Sequence, residues 1–214
     1  MPETVGVVPL EGRGDVPFVD LHHEPLFLHA VRALHDVPLL EGRVLVSADP
    51  DQRPRVLDAL AQHELAAEVV DAAAWWAPAS KRRRRLTVLV HDPLCPLVPA
   101  PFLSRCLAAA VTTRQAVVAF RPVTDTIKTV VADQIVGTLD RDRFAIVTSP
   151  VVLAASVGDP APPTEDFAEL AAWVRSRGPV ELAKAPSLGR RVDDSSAVNL
   201  LECMDEMARA VHEG

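Results

Sequence analysis

Tyrosine is absent from the sequence, and cysteine occurs only at Cys95, Cys106 and Cys203. The missing tyrosine, with the abundance of Ala, Val, Arg and Pro, is compositional bias and points to no function. Three unclustered cysteines predict a reducing cytoplasm and no disulfide frame. No apolar run approaches the ~20 residues that a bilayer requires. No charged start leads into an apolar segment, so neither a membrane span nor an export signal is expected. Basic excess is lacking too. With 22 Lys and Arg against 29 Asp and Glu, the formal net charge is −7. That disfavours nucleic acid or an anionic membrane as a partner. The seven histidines, including His22, His23 and His29, lack zinc-site spacing. No G-x-S-x-G motif and no Cys/His catalytic arrangement occurs.

What is present is an alternation of strand and helix. The chain has 214 residues, of which 49% are hydrophobic, enough for one sizeable core. One domain over 1–214 is expected. Strands are predicted at Val5–Pro9, Arg43–Ala48, Ala66–Asp71, Leu86–Asp92 and Gln115–Phe120. Helices are predicted at Pro25–Asp36, Asp51–Glu64 and Ala100–Val111. The strands are apolar throughout rather than alternating, as parallel strands covered on both faces are. The fold class is therefore α/β, an open doubly wound sheet with right-handed crossovers. Residues 122–150 carry Thr and Val without a helical period. They read as a β-hairpin or arm followed by a strand at Phe144–Thr148. A proline-rich loop, Gly158–Asp166, feeds a helix with Thr164 as its expected N-cap. A late strand, Val180–Ala185, precedes a closing helix capped by Ser195 or Ser196.

Ligands of such sheets sit beyond the carboxyl ends of the strands. Three places follow. The first is "PLEGRGD", Pro9–Asp15, where Gly12 and Gly14 permit a tight turn whose amides face an anion. A plain βα turn has the same spacing, so spacing alone leaves both open. The Arg13–Asp15 tripeptide is read as a coincidence with a cell-adhesion signal. The second is Asp92, positioned as a metal–phosphate ligand or as the cap of a turn with Pro93. The third is the polar series Thr124, Asp125, Thr126, Lys128, Arg141 and Arg143 on the arm, a phosphate contact or a solvated hairpin. The basic run Lys81–Arg85 reads as a solvated loop or the partner of acidic neighbours.

Taken together these segments resemble the 2-C-methyl-D-erythritol 4-phosphate cytidylyltransferase family. "VVPLEGRG" looks like its strand and glycine-rich CTP loop, VxPAAGxGxR. "VLVHDPLCP" is similar to VLVHDAARP, "PVTDTIKTV" to PVxDTIK, and "GTLDRDRFAIVTSP" to TxDRxxLxxxQTP. The resemblance implies a three-layer Rossmann-like nucleotidyltransferase fold. It also implies a homodimer built through a protruding β-arm, residues 122–143. It places Pro9, Leu10, Gly12, Gly14 and Asp92 at the nucleotide, and Thr126, Arg141 and Arg191 at a small phosphorylated alcohol. Arg13, Asp92 and Lys128 stand at catalytic positions, with Mg²⁺ on Asp92 if the protein is active.

The departures are as specific. The family's first loop is longer, and its arginine and Pro-Lys pair hold the triphosphate. Here Val16-Pro17 falls where that pair belongs. Leu10-Glu11 replaces Ala-Ala, which places bulk and negative charge against the nucleotide. Cys95 replaces the arginine of DAARP, and Arg191 replaces a late lysine. The resemblance therefore implies weak or lost transfer from CTP. A partner-binding paralogue and a nucleotidyltransferase of other specificity remain as alternatives.

Overall fold

The computed structural model describes residues 3–71, 74–76, 86–154, 161–192 and 194–213. The Lys81–Arg85 run lies outside the described residues. The apolar runs form β1 (Glu3–Pro9), β4 (Val44–Ala48), β5 (Glu68–Asp71), β6 (Leu86–Val90), β7 (Ala116–Pro122), β10 (Ala145–Leu153) and β11 (Val180–Lys184). These seven make one sheet, ordered β11-β7-β10-β6-β1-β4-β5. Every pairing in it is parallel except those of β10, which runs against both β6 and β7. Two short strands, β2 (Asp20–Leu21) and β3 (Glu24–Pro25), form a separate hairpin.

Period-two side chains explain why the strands lack polar alternation. On β1, Val8 joins the core packed under α1 (Leu26–His35), α2 (Arg53–Gln62) and α3 (Ala100–Thr113). Val5 and Val7 point the other way, against α4 (Phe167–Arg175) through Phe167, Leu170 and Val174. Leu89 and the pair Val88, Val90 divide β6 in the same manner. Both faces are covered, giving three layers as expected. Burying each such Leu or Phe stabilises the fold by about 1.5–3 kcal/mol. A third apolar cluster, including Leu21, Leu94, Val198 and Leu201, seats α5 (Ser195–Glu213) over the β2–β3 hairpin.

Two helix starts differ from expectation. Asp166, not Thr164, caps α4, its carboxylate accepting from the amides of Ala168 and Glu169. Asp194, not a serine, caps α5, accepting from the Ala197 amide at 2.9 Å and the Ser196 hydroxyl at 2.6 Å. An ionised carboxylate accepts such bonds more strongly than a hydroxyl does.

The arm is β8 (Ile127–Val131) and β9 (Gln134–Leu139), a two-stranded sheet of its own. Ala132 and Asp133 turn it with φ of 47° and 63°, the left-handed pair of a type I′ hairpin. It grows out of the antiparallel β7–β10 pair and stands in solvent. Ile135 is 67% exposed and Val136 60%.

Candidate active site at the carboxyl ends of the strands

β6 delivers His91 and Asp92 beyond its last residue, Val90. Ser149, from β10, accepts the Asp92 amide at 3.0 Å and pairs with Nδ1 of His91. This fixes the backbone at the strand end. Both oxygens of the Asp92 carboxylate are engaged. Oδ1 accepts from Arg13 Nε at 3.2 Å and from the Leu94 amide at 3.1 Å. Oδ2 accepts from Arg191 Nε at 3.1 Å. The Arg13 and Asp92 side chains are each 1% exposed. Arg13 spends its other donors on carbonyls, on Glu11 at 2.8 Å and on Thr164 at 2.6 Å. It is a buried cross-brace between the loop, the central strand and the start of α4.

A resident Mg²⁺ does not fit this donor set as it stands. Mg²⁺ prefers an octahedron of carboxylate, phosphate and water oxygens. Here the carboxylate is neutralised by two guanidinium groups. Among the described residues no group of three His, Cys, Asp or Glu side chains converges as a metal would require.

The glycine loop is closed as well. Pro9 ends β1 beside Ser47, and the Leu10 amide donates to the Ser47 carbonyl at 2.8 Å. Leu10, expected against the nucleotide, turns fully into the core under α1. Its bulk is therefore taken up by the core, and Glu11 is the one of the two substituted residues that stays with the loop. Glu11 is 4% exposed, and neither carboxylate oxygen has a hydrogen-bond partner. The Ser47 hydroxyl lies near enough to stabilise the carboxylate, although the two do not meet in good hydrogen-bond geometry. Burial pushes the Glu11 carboxyl above its ordinary value, with Ser47 and Arg13 opposing and Asp49 adding. Gly12 has a φ of +72°, and a Cβ there would stand 2.9 Å from the Glu165 side chain. Gly14, at +54°, faces open space. Gln52 on the α2 side donates to its carbonyl at 3.1 Å, and Arg55 pairs with Asp15 at 2.8 Å.

Two cavities of opposite sign flank this loop and strand end. One, about 330 Å³, is lined by Glu11, Glu165, Glu169, Trp75 and Trp76. The other, about 270 Å³, is lined by Arg190, Arg191, Asp194 and Ser196. Burial and then Arg190 depress the Arg121 pKa, which places a third cation beside this group. No sequence motif marks Arg121, Arg190 or either tryptophan. Arg190 was legible only as a neighbour of Arg191. The arm residues do not line either cavity and bond locally. Thr126 is exposed, Lys128 donates to Thr138 at 2.7 Å, and Arg141 donates to the Thr124 carbonyl at 2.5 Å. Of the expected set, the structure joins Arg13, Asp92 and Arg191 directly.

Two neighbours are inert. Burial, then Asp92, pushes the Cys95 thiol up to about 12. Burial pushes His91 from 6.5 down to about 4. The unfolded chain therefore protonates this histidine near pH 6.5, and the folded chain does so only near pH 4. Stability attributable to it falls as pH drops through that window, by about 3 kcal/mol. A His91→Gln variant should flatten the pH dependence of the urea midpoint in that window. An unchanged slope would refute the assignment.

A family model for 2-C-methyl-D-erythritol 4-phosphate cytidylyltransferase, IspD, matches residues 11–157. The chain belongs to this family. A bifunctional IspD/IspF enzyme of Solidesulfovibrio magneticus is 32% identical over 145 residues, 62% of this chain and 36% of the relative. The 2-C-methyl-D-erythritol 4-phosphate cytidylyltransferase of Symbiobacterium thermophilum is 31% identical over 147 residues, covering 65% of this chain and 61% of the relative. The alignments thus span less than two thirds of either relative's own length. The solved Thermus thermophilus cytidylyltransferase superposes with a TM-score of 0.70 at 21% identity, covering 95% of this chain and 99% of that one. The synthase from Anaerococcus prevotii gives 0.69 at 12% identity, covering 95% and 96%. These likenesses bear out the nucleotidyltransferase fold. No helix of the described residues is long and apolar enough to cross a membrane.

Proposed function

We propose that this chain is a divergent cytidylyltransferase-like protein in which the family reaction, CTP plus methylerythritol phosphate giving CDP-methylerythritol and pyrophosphate, runs weakly or not at all. The observation that carries this is the inward turn of Arg13. The loop's one cation is bonded to Asp92 and two carbonyls, and an unpaired carboxylate, Glu11, stands on the nucleotide side. Nucleotidyl transfer depends on cations positioned where charge develops. Mg²⁺ would arrive with CTP and would have to displace a guanidinium from Asp92. The acceptor's phosphate is assigned to the cationic group Arg121, Arg190 and Arg191. The protein is proposed to work in the cytoplasm. Measuring pyrophosphate release from CTP and methylerythritol phosphate tests this reading, and turnover equal to an ordinary family enzyme would sink it.

A homodimer is part of the proposal, supported by the exposed apolar arm. Val130, Val131, Ile135, Val136 and Leu139 are each 42–67% exposed on a single hairpin. Patches of that kind mark interfaces. A second copy would cover them and would bring its own Thr126, Lys128 and Arg141 toward the site. Sedimentation equilibrium should show a dimer, and Ile135→Asp with Val136→Lys should give a folded monomer. A monomeric wild-type chain would remove the dimer from the proposal.

A further inference from the structure

Arg190 and Arg191 sit on the loop between β11 and α5. Both are exposed, while Gly189 before them and Val192 after them are buried. Each buried neighbour is bonded across to the strand ends. The Val192 amide donates to the Leu94 carbonyl at 2.7 Å, and the Gly189 carbonyl accepts from the Thr148 hydroxyl at 2.7 Å. The two bonds bracket the arginine pair. The first joins backbone to backbone and needs no particular side chain. The second depends on one side chain. Gly189 has little room to settle elsewhere, since a Cβ there would stand 3.2 Å from the Pro186 carbonyl oxygen and 3.3 Å from Ala185.

Thr148 reaches that carbonyl because β10 is bulged. The strand runs from Val147 to Val151 while its partner β7 runs only from Phe120 to Val118. A bulge re-aims the side chains it carries. Ser149 is thereby turned onto His91 and the Asp92 amide. Thr148, buried beside it, is turned onto the loop. Its hydroxyl has one hydrogen, which a carbonyl can only accept. Thr148 Oγ1 therefore receives, rather than gives, at Cys95 Sγ, 3.5 Å away. The Cys95 thiol, pushed up to about 12 by burial and then Asp92, keeps the hydrogen that this requires. The bonds thus run from Cys95 to Thr148 to Gly189. In VLVHDAARP and TxDRxxLxxxQTP the corresponding positions hold arginine and glutamine, so this relay is particular to the present chain.

We propose that Thr148 is a positioning residue of the acceptor-phosphate site, fixing Arg190 and Arg191 before the ligand arrives, with Cys95 holding its hydroxyl in the donating direction. The inference rests on the assignment of the acceptor's phosphate to Arg121, Arg190 and Arg191. A loop fixed in advance need not be ordered at the moment of binding, and the difference appears as affinity. Fixing also opposes repulsion within the group, where burial and then Arg190 depress the Arg121 pKa.

Inorganic phosphate, titrated calorimetrically into the full chain, probes the site without a nucleotide. Arg191→Ala should weaken it by about tenfold, the worth of a hydrogen bond to a charged group. Thr148→Val keeps the shape and deletes the hydroxyl. It should weaken phosphate by about fivefold, the worth of one neutral hydrogen bond, and Thr148→Ser should restore the affinity to within about twofold. A merely structural threonine would lower the urea midpoint of Thr148→Val and leave the phosphate affinity of the folded protein unchanged. Should Thr148→Val not fold, Cys95→Ala should weaken phosphate by about twofold, through its weaker S–H bond, and Cys95→Ser should not. Phosphate binding that needs Arg191 but ignores Thr148→Val, or is not restored by Thr148→Ser, would overturn the positioning role and leave the acceptor-site assignment standing. The same holds if the Cys95 pair, used in its place, has no effect. No phosphate binding, or binding indifferent to Arg191→Ala, would overturn both.

Discussion

Replacing Asp92 with alanine should destabilise the protein by about 3–5 kcal/mol, the cost of breaking a buried pair by deleting one partner. The Arg13 side chain is 1% exposed and cannot carry its charge back to water without opening the loop. Its two carbonyl acceptors remain after the substitution, so the lower half of the range is expected. The Leu94 amide also loses its acceptor, which costs further. A second substitution separates this brace from a metal-ligand role. Arg13→Met in the Asp92→Ala background removes the stranded cation and should recover a large part of the loss. The two changes should couple by about 0.5–3 kcal/mol, as contacting residues do. An aspartate held open for a metal would behave oppositely, because deleting an unneutralised buried charge is neutral or stabilising. Urea midpoints at constant m-value decide the matter. An Asp92→Ala variant as stable as wild type would dissolve the cross-brace.

The strand positions were legible because burial on both faces writes itself into composition. In β6, Val88 and Val90 enter one apolar layer and Leu89 the other, so no polar residue interrupts the end of the run. The arm was legible for the opposite reason, since 122–143 offers no face that a helix could bury. The site was legible by position and not by direction. Arg13 and Asp92 lie 79 residues apart, and nothing local says that the arginine reaches inward rather than toward a phosphate. Leu10 shows the same limit. The side chain that follows a strand takes either face according to register, and here the pairing of Pro9 with Ser47 sends Leu10 to the core. The acidic cavity was not legible at all. Its walls come from positions 11, 75–76 and 161–169, three segments that meet only through the order of β1, β4 and β5 in the sheet and the placement of α4.

With CTP, Mg²⁺ and methylerythritol phosphate, the chain should release pyrophosphate at least about 10⁴-fold more slowly than the Symbiobacterium thermophilum relative assayed beside it, since removing one group that stabilises transition-state charge costs about 10²–10³ in rate. Two are missing in effect. The loop has no lysine between Leu10 and Phe18, and its arginine is bonded to protein on three sides. On the proposed reading, Glu11 also adds a buried carboxylate to the loop that would hold the nucleotide. Its raised pKa does not rescue the site, because a protonated carboxyl gives one hydrogen-bond donor in place of a full cation. Glu11→Ala should therefore raise the rate by about tenfold, roughly 1.4 kcal/mol of barrier, and leave most of the deficit in place. The residual gap would belong to the missing cations. A wild-type rate within about tenfold of the relative would show that Arg13 leaves Asp92 when CTP binds, and would end the reading of a disabled loop.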